Sequence, residues 1–358
     1  SSTEFREAVR SFNKKVSVEP RYFERVLIDM DFWREFALDM SFSSTPGTAD
    51  PTLWVFHGHP GHSTKPLHVA TARLLGYRWP TEFDPDIELP DEARASVAKA
   101  AELLPIADSD GIVCIPSVRS EEPGTARLQT LLAAAFGDQW SPSKLDQLLD
   151  QVGYRGKGLE RWLRDAFFEQ HCKLFHHRPF IWQIWDGLKD GFSALVNYHK
   201  LDRALLETLI YSYLGDWIRR QEDAERRGIS GAEERLAAAR ALQERLVLIL
   251  KGEEPYDIFV RWKPIEEQPI GWNPDLDDGV RLNIRPFMSV PDVGRKGAGV
   301  LRWKPNIHWK KDRGSDPEGM PWYHLGPEYG GKPGDRINDH HLSLDEKRRA
   351  RLESGDKR

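Results

Sequence analysis

The chain has 358 residues, 39% of them hydrophobic and 30% charged, with a net charge of −5. These values fit a soluble folded protein of two or three domains. They exclude a membrane-spanning helix, because no apolar run approaches the roughly 20 residues a bilayer requires, and the acidic balance argues against nucleic-acid binding over the whole surface.

In chain order, residues 4–40 read as helical. Phe5, Val9, Phe12 and Val16 recur at helical spacing, as do Phe23, Leu27, Met30 and Trp33, with Pro20 between the two stretches. Residues 41–50 are rich in Ser, Thr, Pro and Gly and predict a loop. Trp54-Val55-Phe56 is a short strand candidate that runs into the turn-rich HGHPGHSTKP. Residues 67–76 predict a helix closed by Gly76, and the prolines 80, 85 and 90 predict a connecting loop. A helix over 91–104 precedes a buried strand over 111–115, stopped by Pro116. Helices are predicted over about 124–136, 143–151 and 158–170. RPFIWQIWDG then reads as a strand turning at Asp186-Gly187, and KDGFSALVNY as its hairpin partner.

Residues 201–251 predict two antiparallel helices. Leu205, Leu209, Ile210, Tyr213, Leu214 and Trp217 share one helical face. GISG makes the turn, and Leu236, Leu242, Leu246 and Ile249 line the second helix. Beyond Pro255 the texture changes to short strand-like runs, YDIFVRW, GVRLNI and GVLRW, divided by Pro and Gly. Ser343 with Glu346 forms a capping box ahead of a charged terminal helix. The expected class is therefore α+β: a helix-rich first two-thirds with a long αα-hairpin, then a small β-rich module. The expected domains are a mixed helical region (1–105), a helical region with an aromatic β-hairpin and the helical spacer (106–251), a Trp/Arg/Lys-rich module (252–342) and a charged tail (343–358).

Charge is unevenly spread. Over 281–313, nine Lys and Arg face two Asp, so the remaining chain is strongly acidic. Five of the 13 tryptophans also fall between Trp262 and Trp322. The tetrapeptide RWKP occurs twice, and the second copy continues as NIHWKKDRG. Cations neutralise phosphates with release of counterions, aromatic faces stack on bases, and Arg reads guanine edges. Candidate DNA contacts are Arg261, Lys263, Arg281, Arg285, Arg302, Trp303, Lys304, Trp309, Lys310, Lys311 and Arg313. The plainer reading is that most of these tryptophans are core and the charges a solvated face. Arg178 and Lys189 are weaker candidates.

Other chemistry is thin. Cys114 and Cys172 are too few for a disulfide framework, which makes a reducing cytoplasm the expected compartment. The His171, Cys172, His176, His177 group and the His57, His59, His62 group lack the ligand set of a structural zinc site, and ordinary packing or a surface loop accounts for them better. Asp275, Asp277 and Asp278 lack the companion Glu-x-Lys of a metal nuclease. Gly294, Gly297 and Gly299 precede a strand and predict a mobile turn, not a nucleotide cradle. No Pro-Pro dipeptide exists in the chain.

The runs RPFIWQIWDGLKDGFSALVNYHKLDRALLETLIYSYLGDWI, YDIFVRWKPIEEQPIGWNPDLDDGVRLNIRPFM and GVLRWKPNIHWKKDRG resemble the C-terminal region of large adenine-specific DNA methyltransferases. These are the long methylases of restriction and phage-defence systems, similar to the PglX methylase of BREX and the large methylase of DISARM. LHVATARLLGYRWP and ADSDGIVCIPSVR fit the same group, and the resemblance spans about residues 54–345. It implies a parent with a catalytic core that binds S-adenosylmethionine and a C-terminal region that places duplex DNA, so that an adenine can be flipped and methylated. The Asn/Asp-Pro-Pro-aromatic catalytic loop is absent here, so no catalytic residue or cofactor site transfers, and a C-terminal fragment or split subunit is the expectation. Implied partners are double-stranded DNA, the methyltransferase core in cis or trans, and other defence-system subunits. The rival reading is a protein-interaction module that docks the catalytic core or another subunit.

Overall fold

The computed structural model describes residues 58–79, 82, 91–175, 179–253 and 269–274, with single positions and runs of two or three from 287 onward. All of these lie in one compact unit, Ala49–Arg358. The elements expected over 4–40, 41–50 and Trp54-Val55-Phe56, the Ser343 capping box, and most of the module after 253 lie outside the described residues.

The described part is helix-rich around a small antiparallel sheet. Helix α1 (Pro66–Leu74) begins with proline in its first turn and ends in a Schellman motif, in which Gly76 N–H reaches Arg73 O and Tyr77 N–H reaches Ala72 O. Helix α2 (Asp91–Ala101) stops short of the predicted 104, and residues Leu104–Ile106 tighten into a 3₁₀ turn containing Pro105. Strand β1 (Ile112–Cys114) follows, then α3 (Gly124–Phe136) and α4 (Pro142–Gln151), the latter capped by the Ser141 hydroxyl accepting from Lys144 N–H.

The helix predicted over 158–170 is instead two: α5 (Leu159–Asp165) and α6 (Phe167–Leu174), broken at Ala166 with φ −129°. The break has a packing cause. Adjacent Phe167 and Phe168 must enter different apolar clusters, one on each side of the sheet.

Strands β2 (Ile181–Trp185) and β3 (Ser193–Asn197) form the expected antiparallel hairpin, with Trp185 opposite Ser193. Asp186 shapes the turn, its carboxylate accepting from Leu188 N–H at 3.0 Å and Phe192 N–H at 2.7 Å. β1 adds to the other edge of β3, pairing Val113 with Leu195, so β3 is central. The sheet is buried on both faces. Ile112, Cys114, Trp182, Ile184, Ala194 and Val196 join one cluster, while the alternating Val113, Ile181 and Leu195 join the other. Side chains of α1, α3, α4 and α5 fill the second cluster, so described residues on both sides of position 105 share one core.

The first cluster is covered by a continuous helical run: α7 (Arg203–Thr208), a π-helical segment Leu209–Leu214, and α8 (Gly215–Arg226). After Gly228 and Gly231 the chain enters α9 (Ala232–Lys251). α8 and α9 run in opposite directions, with Arg235 on Gln221, Arg240 on Glu222, and Gln243 donating to Ile210 O further back. No described helix is long and apolar enough to cross a membrane.

Candidate functional site

Arg261, Lys263, Arg281, Arg285, Arg302, Trp303, Lys304, Trp309, Lys310, Lys311 and Arg313 all lie outside the described residues, as do Arg178, Asp275, Asp277 and Asp278. What is described is the joint from which that segment departs. Gly252 ends α9 at φ 71° and Gly271 adopts φ 78°. A Cβ on Gly252 would sit 2.6 Å from the Gly271 Cα, so the outgoing and returning main chains touch where only glycine permits it. Trp272 N–H donates to Leu250 O, and the Arg203 guanidinium donates to the same carbonyl at 2.9 Å. The Trp272 ring is 1% exposed and meets Phe287 edge-on at 5.3 Å inside the first cluster. One of the five late tryptophans is thus core, and it anchors the chain beyond α9 to the helical pair.

Of the histidine and cysteine groups, the described His171 and Cys172 pack in the core. His171 is buried, and its Nε2 accepts from both Phe180 N–H and Ile181 N–H, which places the ring proton on Nδ1. Burial, then the neighbouring His68, hold its pKa well below the usual value. Cys172 and Cys114 are buried, and burial pushes both thiols up. His176, His177 and His57 lie outside the described residues. Among the described residues no three His, Cys, Asp or Glu side chains converge as a metal site.

Two polar networks hold the described elements together. Arg73 on α1 is nearly fully buried and makes a bidentate pair with Glu82, at 2.6 and 2.7 Å. It also donates from Nε to Gly58 O and covers the Trp79 ring. It ties the HGHPGH loop and the YRWP segment to one helix. In that loop His59 Nδ1 accepts from Gly61 N–H, and burial followed by the cations His62, Lys99 and Arg73 lowers its pKa to about 4.

The second network joins β1 to the π-helical segment. Tyr213 Oη donates to Asp110 at 2.8 Å and lies 3.3 Å from Glu121. Arg127 bridges Asp108 at 2.6 Å and Glu121 at 3.2 Å. Arg119 covers the Tyr213 ring, and its N–H reaches Asp216. Arg119 and Ser120 both adopt positive φ, at 51° and 63°, a strained pair for residues with side chains. Burial and then Asp108 raise the Asp110 pKa to about 6. Burial would also raise Asp108, but hydrogen bonds from Asp110 and Arg127 outweigh it and leave that carboxyl below its usual value. Sequence reading did not single out this network, because its members are spread over more than a hundred positions.

No family model matches the chain. Over 198 residues, 51% of this chain, it is 26% identical to the adenine-specific methyltransferase BrxX of Escherichia coli O9:H4 (strain HS). Over 93 residues it is 31% identical to the adenine-specific methyltransferase PglX of Lacticaseibacillus casei (strain Zhang). The chain is similar to adenine-specific methyltransferases. The matched stretches cover 16% and 8% of the length of those two relatives. The similarity agrees with the family resemblance read from the motifs.

Proposed function

We propose that this chain is the DNA-placing portion of an adenine-specific DNA methyltransferase that serves a restriction or phage-defence system. The similarity to BrxX over half the chain carries this reading. The joint at Gly252 and Gly271 supports it, since a segment rich in Lys, Arg and Trp is tied at its base to a packed helical pair. In this reading α8 and α9 act as a rigid spacer. Arg261, Lys263, Arg281, Arg285, Arg302, Lys304, Lys310, Lys311 and Arg313 contact the duplex backbone or its base edges, and Trp303 and Trp309 offer stacking faces. S-adenosylmethionine and the methyl-transfer chemistry belong to the catalytic core, with which this chain acts in cis or in trans.

The alternative, a docking module for the core or another defence subunit, calls for an extended apolar surface. Among the described residues the large hydrophobics left exposed are Tyr211, Ile229 and Leu352, which are scattered along the sequence, and the α8–α9 surface is laced with ion pairs. The DNA reading is tested by fluorescence anisotropy of a labelled duplex across a salt series. The expected result is a steep log-affinity dependence on log salt, made shallower by about two in the Lys310→Ala/Lys311→Ala variant, at about 0.9 per neutralised phosphate. A flat salt dependence in the unaltered chain sinks the reading.

A further inference from the structure

Between α4 and α5 the chain makes a turn over 153–158, with sequence GYRGKG. The turn is ordered by its own contacts. Tyr154 packs against the second apolar cluster and donates its N–H to Leu149 O, and Lys157 N–H closes onto Tyr154 O. Gly153, Gly156 and Gly158 have φ of 74°, 71° and 85°, and a Cβ built on any of them meets nothing within 4 Å. Internal packing therefore does not demand these glycines. They set the backbone conformation and leave the main chain bare on the surface.

Two cations stand on this bare turn. Arg155 is 73% exposed, and its one described ion pair, to Asp150, is long at 3.9 Å and open to water, so it holds the guanidinium weakly. Lys157 is exposed and its ammonium sits over the Tyr154 ring. No carboxylate occurs between Gln151 and Leu159 in a chain that is acidic as a whole. Exposed cations on a pre-ordered turn, with exposed glycine main chain beside them, match the closely spaced anionic oxygens of a nucleic-acid backbone.

We propose that the 153–158 turn is a second contact for the phosphate backbone of duplex DNA, made by Arg155, Lys157 and the bare main chain beside them. This rests on the DNA-placing reading above and extends it to a surface formed before residue 252. The test uses the full chain, a labelled duplex and the same salt series, with an Arg155→Gln/Lys157→Gln variant. Its thermal melt checks that folding is intact, and both side chains are exposed enough for it to match the unaltered chain.

The expected result is weaker binding at low salt and a salt dependence shallower by up to about two, one increment for each phosphate that the variant leaves unneutralised. A variant that binds as the unaltered chain does, while Lys310→Ala/Lys311→Ala is impaired, overturns this proposal and leaves the DNA reading standing. An unaltered chain that does not bind duplex at all overturns both. Loss of binding to a protein partner with duplex binding unchanged assigns the turn to protein recognition and likewise overturns the proposal.

Discussion

Arg73 shows how a residue that looks like surface in a sequence becomes structural. Its side chain is only 1% exposed, and all three guanidinium nitrogens donate, to Gly58 O and to the two Glu82 carboxylate oxygens. Replacing it with Ala would leave the buried Glu82 carboxylate with only the Trp79 N–H and the longer Arg78 pair at 3.8 Å. A destabilisation of about 3–5 kcal/mol is expected in urea unfolding, and a cost under ~1 kcal/mol would show that the pair is dispensable. Asp110 makes the opposite case, because ionising it opposes folding. Its folded pKa of about 6 lies above the unfolded carboxyl value of about 3.9. The folded state therefore takes up more protons between those limits, and this group's contribution to stability rises as pH falls from about 6 toward 4. An Asp110→Asn variant keeps an acceptor for Ile112 N–H and a donor for the Tyr213 oxygen. Its melting temperature should vary less between pH 7 and pH 5 than that of the unaltered chain, in scans at matched ionic strength; identical pH profiles would assign the dependence to another group, such as the buried Asp186.

At the scale of elements, the π-helical segment explains where the apolar stripe drifts. A regular 3.6-residue period continued from Leu209, Ile210 and Tyr213 puts Trp217 on the buried face. The wider turn at Leu209–Leu214 shifts the stripe by one position, so that Ile218 is buried and Trp217 is only partly covered. Tyr213 is aimed at Asp110 and Glu121 by that turn. Tyr213→Phe should cost about 1 kcal/mol or slightly more, since Asp110 loses its buried donor. The joint at the end of α9 is more demanding. Gly271→Ala places a methyl group against Arg203 and the Lys251 main chain at φ 78°. The strain of the left-handed conformation alone is about 1–2 kcal/mol, so the clash should bring the total above that. Calorimetric melting checks this, and an unchanged midpoint would mean that the two main chains can part freely.

At the scale of the whole molecule, the sheet is a partition between two cores, and the segment beyond α9 is fastened to one of them through Trp272. Trp272→Ala should cost about 3–5 kcal/mol as a large-to-small core change. It should also loosen the seat from which the cation-rich segment extends. If placement of that segment matters for DNA, duplex affinity should fall in Trp272→Ala at a temperature where circular dichroism shows the fold intact. Unchanged affinity there would separate recognition from the helical pair.

Local signals in the sequence determined the elements with strong period or punctuation. α3 falls on its predicted bounds, α1 ends at its glycine, and β2 and β3 turn at Asp186-Gly187, because alternation, helical spacing and turn chemistry act between near neighbours. The motifs also pointed to the adenine-methyltransferase relatives. Tertiary structure alone decided that β1 joins β3 from some eighty residues upstream, that Phe167 and Phe168 part to opposite cores and split a helix, that Arg73 is buried, and that Asp110, Glu121 and Tyr213 meet. None of these leaves a local trace, since each depends on which surfaces distant segments bury against one another.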